Sequence, residues 1–142
     1  MSGDYTTITD PSAYFQTALY TGNDSTNAIT NDGVSDLQPD WLWTKNRSST
    51  AQHKLFDSTR GVTKFLESGT NAGEGTQANL LSSFNSDGFT LGAGGEVNSS
   101  STNYVAWQWK ANGGTTSTNS DGSVDVTIQV NSTAGFSIMK WN

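Results

Sequence analysis

The sequence predicts an all-β chain: an antiparallel β-sandwich or jelly roll of the lectin-like kind, with an N-terminal arm and a C-terminal hairpin. Three observations carry this expectation. Only 14% of the 142 residues are charged and 32% hydrophobic, against roughly 25% charged in average globular chains, and Ser, Thr, Asn and Gly fill the difference. Aromatics nevertheless reach 11%, with 5 Trp, which separates the chain from disordered segments poor in aromatics and rich in charge and Pro. Stretches of two-residue alternation recur between Gly/Asn/Asp clusters at a spacing of roughly 8–15 residues, the pattern of short strands joined by tight turns.

Residues 1–12, ending at Asp10-Pro11, have no period and read as an arm that orders against a neighbour. The sandwich is expected over residues 13–114. It opens with residues 14–20 (YFQTALY), where Phe15, Thr17 and Leu19 share one face and Tyr14, Gln16, Ala18 and Tyr20 the other. Gly22-Asn23-Asp24-Ser25 closes that strand. After the Pro39 break, residues 41–46 (WLWTKN) place Trp41, Trp43 and Lys45 opposite Leu42 and Thr44.

Residues 53–57 (HKLFD) and 62–67 (VTKFLE) flank Ser58-Thr59-Arg60-Gly61 as a hairpin. A one-turn helix is expected at residues 78–82. Asp87-Gly88 introduces residues 89–92 (FTLG), and Gly94-Gly95 leads to a short piece at residues 96–98, a second hairpin. The clearest strand is residues 103–110 (NYVAWQWK), with Val105, Trp107 and Trp109 on one face and Tyr104, Ala106, Gln108 and Lys110 on the other.

Residues 115–122 form a Ser/Thr/Asn/Gly-rich linker by composition. Residues 123–142 then read as a hairpin, SVDVTIQV against AGFSIMKW across Asn131-Ser132-Thr133, or as the start of a second unit. An internal echo favours the latter: Phe15 to Tyr20 and Phe136 to Trp141 share Phe, four residues, aromatic.

The net charge of −6, with 7 Lys and Arg spread along the chain, argues against nucleic acid or an anionic membrane as partner, since phosphate-tracking surfaces cluster their cations. With no Cys there is no disulfide framework, thiolate metal site or Cys nucleophile. No apolar run reaches bilayer length, and the first residues lack the basic and apolar regions of a signal peptide.

Catalysis is not expected. His53, Asp57 and Ser58 have triad chemistry, but on a strand His53 and Asp57 stand about 13 Å apart, too far for a hydrogen bond. Glycan hydrolysis needs two facing carboxylates, and Glu67, Glu74 and Glu96 are scattered in sequence. Asn23-Asp24, Asn31-Asp32 and Asp36 offer oxygens for Ca²⁺, though turn formation explains them equally. No cofactor and no metal site are expected.

The paired Trp41/Trp43 and Trp107/Trp109 are the most informative side chains, because indoles dominate cores and also stack on sugar rings. Burial is expected for most of them, with one of each pair partly exposed. Arg47 and Arg60 follow strands and suit either a carboxylate clamp or an ion pair with Asp40 or Asp57. Trp41, Trp43, Arg47, Arg60, Trp107, Trp109 and Trp141 are therefore the candidate interface or glycan contacts.

QPDWLWTKNRS (residues 38–48), HKLFDSTRG (53–61), NSDGFTLG (85–92), YVAWQWKANGG (104–114) and the closing NSTAGFSIMKWN, in that order, are similar to a domain of structural and fibre-like proteins of tailed phages, especially marine ones. The resemblance covers most of the chain. It implies a concanavalin-A-like β-sandwich, often repeated along one polypeptide, in which a segment like GFSIMKW opens the next unit. It implies a non-enzymatic viral structural protein on the virion surface, outside the cell, as a tail fibre or capsid decoration component. Its partners would be other virion proteins or copies of itself, with trimers common in fibres although no heptad or three-fold signature is present. A host-surface glycan-binding module is the alternative, and an enzyme acting on host polysaccharide the third reading. The polypeptide is expected to continue beyond Asn142, or its terminal hairpin to be completed by another subunit.

Overall fold

The computed structural model describes residues 7–141. Residues 1–6 of the expected arm lie outside the described residues. The elements in chain order are a 3-10 turn at Pro11–Ala13, then β1 (Phe15–Thr21), β2 (Asn27–Ile29), β3 (Trp41–Asn46), β4 (Lys54–Asp57), β5 (Lys64–Phe65), β6 (Gly75–Thr76), β7 (Leu81–Phe84), β8 (Phe89–Leu91), a helical turn α1 (Gly95–Asn98), β9 (Asn103–Trp109), β10 (Ser117–Asn119), β11 (Val126–Asn131) and β12 (Phe136–Lys140).

The architecture is all-β and antiparallel, a β-sandwich. One layer is the four-stranded sheet β1-β9-β3-β4, and the facing layer is β2-β8-β7. Tyr20, Leu42, Phe56, Tyr104 and Ala106 from the first sheet meet Ile29, Leu81, Phe89 and Leu91 from the second, with Leu80 and Val97 completing the core. Phe56, Phe89, Tyr104 and Leu42 have no exposed surface. Burial of such side chains is the main favourable term in folding, about 2–3 kcal/mol each. Tyr20 and Tyr104 stack at 5.2 Å, and the Tyr20 hydroxyl donates to the Val97 carbonyl at 2.9 Å.

The two-residue period also carries polar side chains inward, and loops supply partners for them, except that Gln108 Oε1 has none among the described residues. Gln16 donates to the carbonyls of Ser12 (3.0 Å) and Ser35 (2.7 Å) and accepts from the Gly33 N–H (2.9 Å). Gln108, without exposed surface, donates to the Asn31 side chain at 2.6 Å. Residues 10–12 are tied in as well: the Asp10 carboxylate accepts from Ser12 and Ser35, and these hydrogen bonds hold its pKa below the ordinary value.

Two expectations of local structure change. Residues 81–84 form β7 rather than a helical turn, because pairing with β8 overrides their local preference. Instead the turn of helix is α1, where the Gly94 carbonyl accepts from the Val97 and Asn98 N–H groups. The expected hairpin of residues 89–92 with 96–98 is therefore absent among the described residues; β8 pairs instead with β7, across Asp87-Gly88. Gly88 sits at φ 92°, and a Cβ there would lie 2.0 Å from the Ile29 carbonyl oxygen, so no other residue fits.

A third sheet, β10-β11-β12, follows. Part of the expected linker at residues 115–122 is therefore strand: Ser117 and Asn119 of β10 pair with Ile128 and Val126. This sheet is joined to the sandwich through Asp40, which is fully buried. The Asp40 carboxylate accepts from the Ser58 hydroxyl (2.6 Å) and from the N–H groups of Ala111 (2.7 Å), Gly113 (2.8 Å) and Gly114 (2.7 Å). Gly113 and Gly114 have φ of 61° and 79°, the left-handed conformation that turns both N–H groups toward one anion. Gln129 of β11, 1% exposed, then accepts from Gly114 and donates to Ser58 and Thr59.

Candidate functional site

The register of the four-stranded sheet defines its outward face in rows. Phe15, Trp109 and Trp41 lie side by side across β1, β9 and β3, with Asp57 beyond them on β4. The next row is Thr17, Trp107, Trp43 and Leu55, and the one after it begins Leu19, Val105, Lys45. All four paired tryptophans thus stand on the face turned away from the core. This corrects the expectation that most are buried: each is partly exposed, and the core takes Leu42, Tyr104 and Ala106 from the opposite face.

The C-terminal sheet covers one end of this face. The Phe136 ring stacks on Trp109 at 6.3 Å, and Phe15 meets the same indole at 4.8 Å. A groove beside them of about 330 Å³ is lined by Trp41, Arg60, Leu66 and residues of β12, with Trp141 at its end. Trp43 and Trp107 lie farther along, edge to face at 5.7 Å, with Leu19 of the neighbouring row 64% exposed. The Trp43 Nε1–H donates to His53 Nδ1 at 2.7 Å, which fixes both rings. Burial lowers the His53 pKa and the Lys45 ammonium lowers it further, so the imidazole accepts this bond in its neutral form.

The two arginines have different fates. Arg60 pairs with Asp57 at 2.5 Å and with Glu74 at 3.2 Å, an internal ion pair rather than a clamp. Arg47 is exposed, and among the described residues its guanidinium has no ion-pair partner; only its backbone N–H is used, donating to the Asn103 carbonyl at 2.7 Å. The structure therefore groups Trp41, Trp43, Trp107 and Trp109 on one sheet face, leaves Arg47 just past the end of β3, puts Arg60 and Trp141 at the covered end, and adds Phe15, Leu19, Lys45, His53 and Phe136. Alternation in residues 14–20 had already put Phe15 and Leu19 on one side; which strand lies beside them was not legible.

The side chains with catalytic potential are otherwise engaged. His53 is bound to Trp43, Asp57 to Arg60, and Ser58 to Asp40 and Gln129. Glu67 and Glu96, far apart in sequence, converge on Lys54, which also lies 4.1 Å over the Phe65 ring. Burial alone would lower the Lys54 pKa, but hydrogen bonds and charges from both glutamates outweigh it and raise it. The Glu67 carboxyl is correspondingly lowered by its bond to Lys54, opposite to the shift an acid catalyst requires. Asn23 and Asn31 spend their side chains on Ser25, Thr26 and Asn98, and on Leu37 and Gln108. Among the described residues, no three His, Cys, Asp or Glu side chains group to hold a metal ion.

No curated protein and no solved structure matches the chain. A family model described as a domain of unknown function, DUF7483, matches residues 10–142, and the chain belongs to that family.

Proposed function

We propose that this chain is a structural and interaction component of a tailed-phage particle, a tail fibre or head decoration part on the virion surface that joins copies of itself or other virion proteins and catalyses no reaction. The observation that carries this reading is the C-terminal sheet. It docks by the face bearing Gln129 and Ile138, both nearly fully buried, and turns Val130, Met139 and Trp141 outward at 49%, 54% and 66% exposure. In a chain so poor in hydrophobic residues, apolar groups gathered on one small sheet suit a protein interface better than solvent. The phage-like motifs along the sequence support the same reading.

The test joins particle composition to assembly. Peptides of this chain are expected in purified virions, and the isolated protein is expected to elute as an oligomer that Met139→Asp dissociates while its circular dichroism stays unchanged. A monomer at tens of micromolar, together with absence from virions, would refute the reading.

A second reading, a host-surface glycan-binding module, is favoured by the outward Trp43 and Trp107 beside Lys45 and Arg47, where ring faces and hydrogen-bonding groups alternate. Binding of the folded protein to oligosaccharides on an array tests it.

A further inference from the structure

We propose that the open part of the sheet face takes a carboxylate-bearing glycan, with Arg47 as the carboxylate clamp; this deepens the glycan-binding reading and rests on it. The argument begins with charge. In a protein of net charge −6, Lys54, Arg60 and Lys64 are neutralised by Asp57, Glu67, Glu74 and Glu96. Among the described residues Lys45 and Arg47 enter no ion pair, nor do Lys110 and Lys140; Lys45 lies on the Trp43 side of β3, and Arg47 follows the end of β3, its N–H donating to the Asn103 carbonyl. Alternate positions along β3 and its continuation read Trp41, Trp43, Lys45, Arg47, two aromatic rings followed by two cations. Four residues of extended chain, from Trp43 to Arg47, span about 13 Å, a short oligosaccharide's length.

Among the described residues no ion pair engages the Arg47 guanidinium. The Lys45 ammonium donates to the backbone carbonyls of Asn46 and Ser49, which leaves its charge uncompensated by any carboxylate among the described residues. Asp32 lines a hollow with Thr17 and Leu19 at the β1 edge, across β9 from both cations. An anion would thus meet two cations close together in sequence, whereas Lys110 and Lys140 stand apart from each other.

The uncharged part of the surface selects a sugar over an acidic peptide. Trp43 is held by His53 and set at 68° to Trp107, so the indoles form a rigid corner that stacks on a ring without losing side-chain freedom. Two rows along the sheet from this corner, on β9 and β1, the Asn103 and Thr21 side chains, 3.1 Å apart in an exposed hydrogen bond, offer groups suited to hydroxyls beside Arg47. A planar guanidinium binds a uronate carboxylate through two parallel N–H bonds.

Isothermal titration with oligogalacturonate, and with the same oligomer reduced at its carboxyl groups, tests the proposal on the full chain. Oligogalacturonate is expected to bind at least tenfold more tightly than the reduced oligomer, and Arg47→Gln to remove that difference. Among the described residues the Arg47 guanidinium makes no hydrogen bond or ion pair, so this variant is expected to fold, and Lys110→Gln, equal in charge but off this face, is expected to keep full binding. Trp107→Ala is expected to weaken both oligomers by about tenfold. Equal binding of both oligomers, unaffected by Arg47→Gln, overturns the carboxylate clamp and leaves a glycan-binding protein. Binding of polyglutamate as tightly as oligogalacturonate, insensitive to Trp107→Ala, overturns the glycan in favour of an acidic peptide. No binding of any oligosaccharide by folded protein, on the array or in titration, removes both readings.

Discussion

Replacing Asp40 by Ala tests whether one buried carboxylate joins the C-terminal sheet to the sandwich. The side chain has no exposed surface and accepts four hydrogen bonds, one from Ser58 and three from backbone N–H groups. Bonds to a charged acceptor contribute about 1.5–3 kcal/mol each, but they do not add, and lost partners cost most where water cannot replace them. Gly113 and Gly114 are exposed residues whose N–H groups water can reach, and Ser58 keeps Gln129 as a partner. The Ala111 N–H, in a residue 4% exposed, is the one left stranded. The expected loss is about 3–4 kcal/mol, a fall in Tm of roughly 10 °C for a chain of this size. Urea unfolding gives the free energy, and Asp40→Asn, which keeps the shape but turns an amide NH₂ toward donors, is expected to lose about 2 kcal/mol. Combining Asp40→Ala with Gln129→Ala should fall short of the sum by about 1 kcal/mol, since both meet at Ser58 and Gly114. A loss below about 0.5 kcal/mol for Asp40→Ala would refute the reasoning.

Phe56→Ala is expected to cost about 3–5 kcal/mol in urea unfolding and Trp107→Ala about half as much, because the first empties the core and the second strips an outward face; the reverse order would mean that the faces are misassigned. Gly88→Ala should cost about 3 kcal/mol, since its φ of 92° and the Ile29 carbonyl both oppose a side chain. An unchanged urea midpoint would contradict that turn. For His53 the folded pKa is lowered by burial and by Lys45. Its contribution to stability is therefore full above the unfolded value of about 6.5 and drains away as pH falls through the lowered folded value. Unfolding measured from about pH 7 down to about pH 5 should lose stability in the wild type but less in His53→Phe; identical slopes would exclude the buried His53 as the group responsible.

Much of the strand framework was legible, because β1, β3, β9, β11 and β12 each alternate over at least five residues. Which side of each strand faces inward was not. Indoles are the largest apolar side chains, so burying them is the natural expectation, yet the space between the layers is already filled by Phe56, Phe89, Tyr20 and Tyr104. Polar Gln108 goes inward because Asn31, 77 residues away, waits there, and no local pattern reveals such a partner. β2 (NAI) and β10 (STN) are three residues each, too short for a period of their own, and form through their pairing with β8 and β11. For the site, alternation put Trp41, Trp43 and Lys45 together, whereas the alignment of β9 beside β3, which makes a single surface of them, arises from tertiary register.

The indole of Trp109 touches Phe15 at the start of the first strand and Phe136 at the start of the last. Tension applied to the two ends of the chain would therefore run across that ring and bypass the layers behind it. The terminal sheet would peel first, as a sacrificial latch, while the sandwich stayed folded and ready to re-dock. A domain held at both ends would gain extension this way without losing its surface.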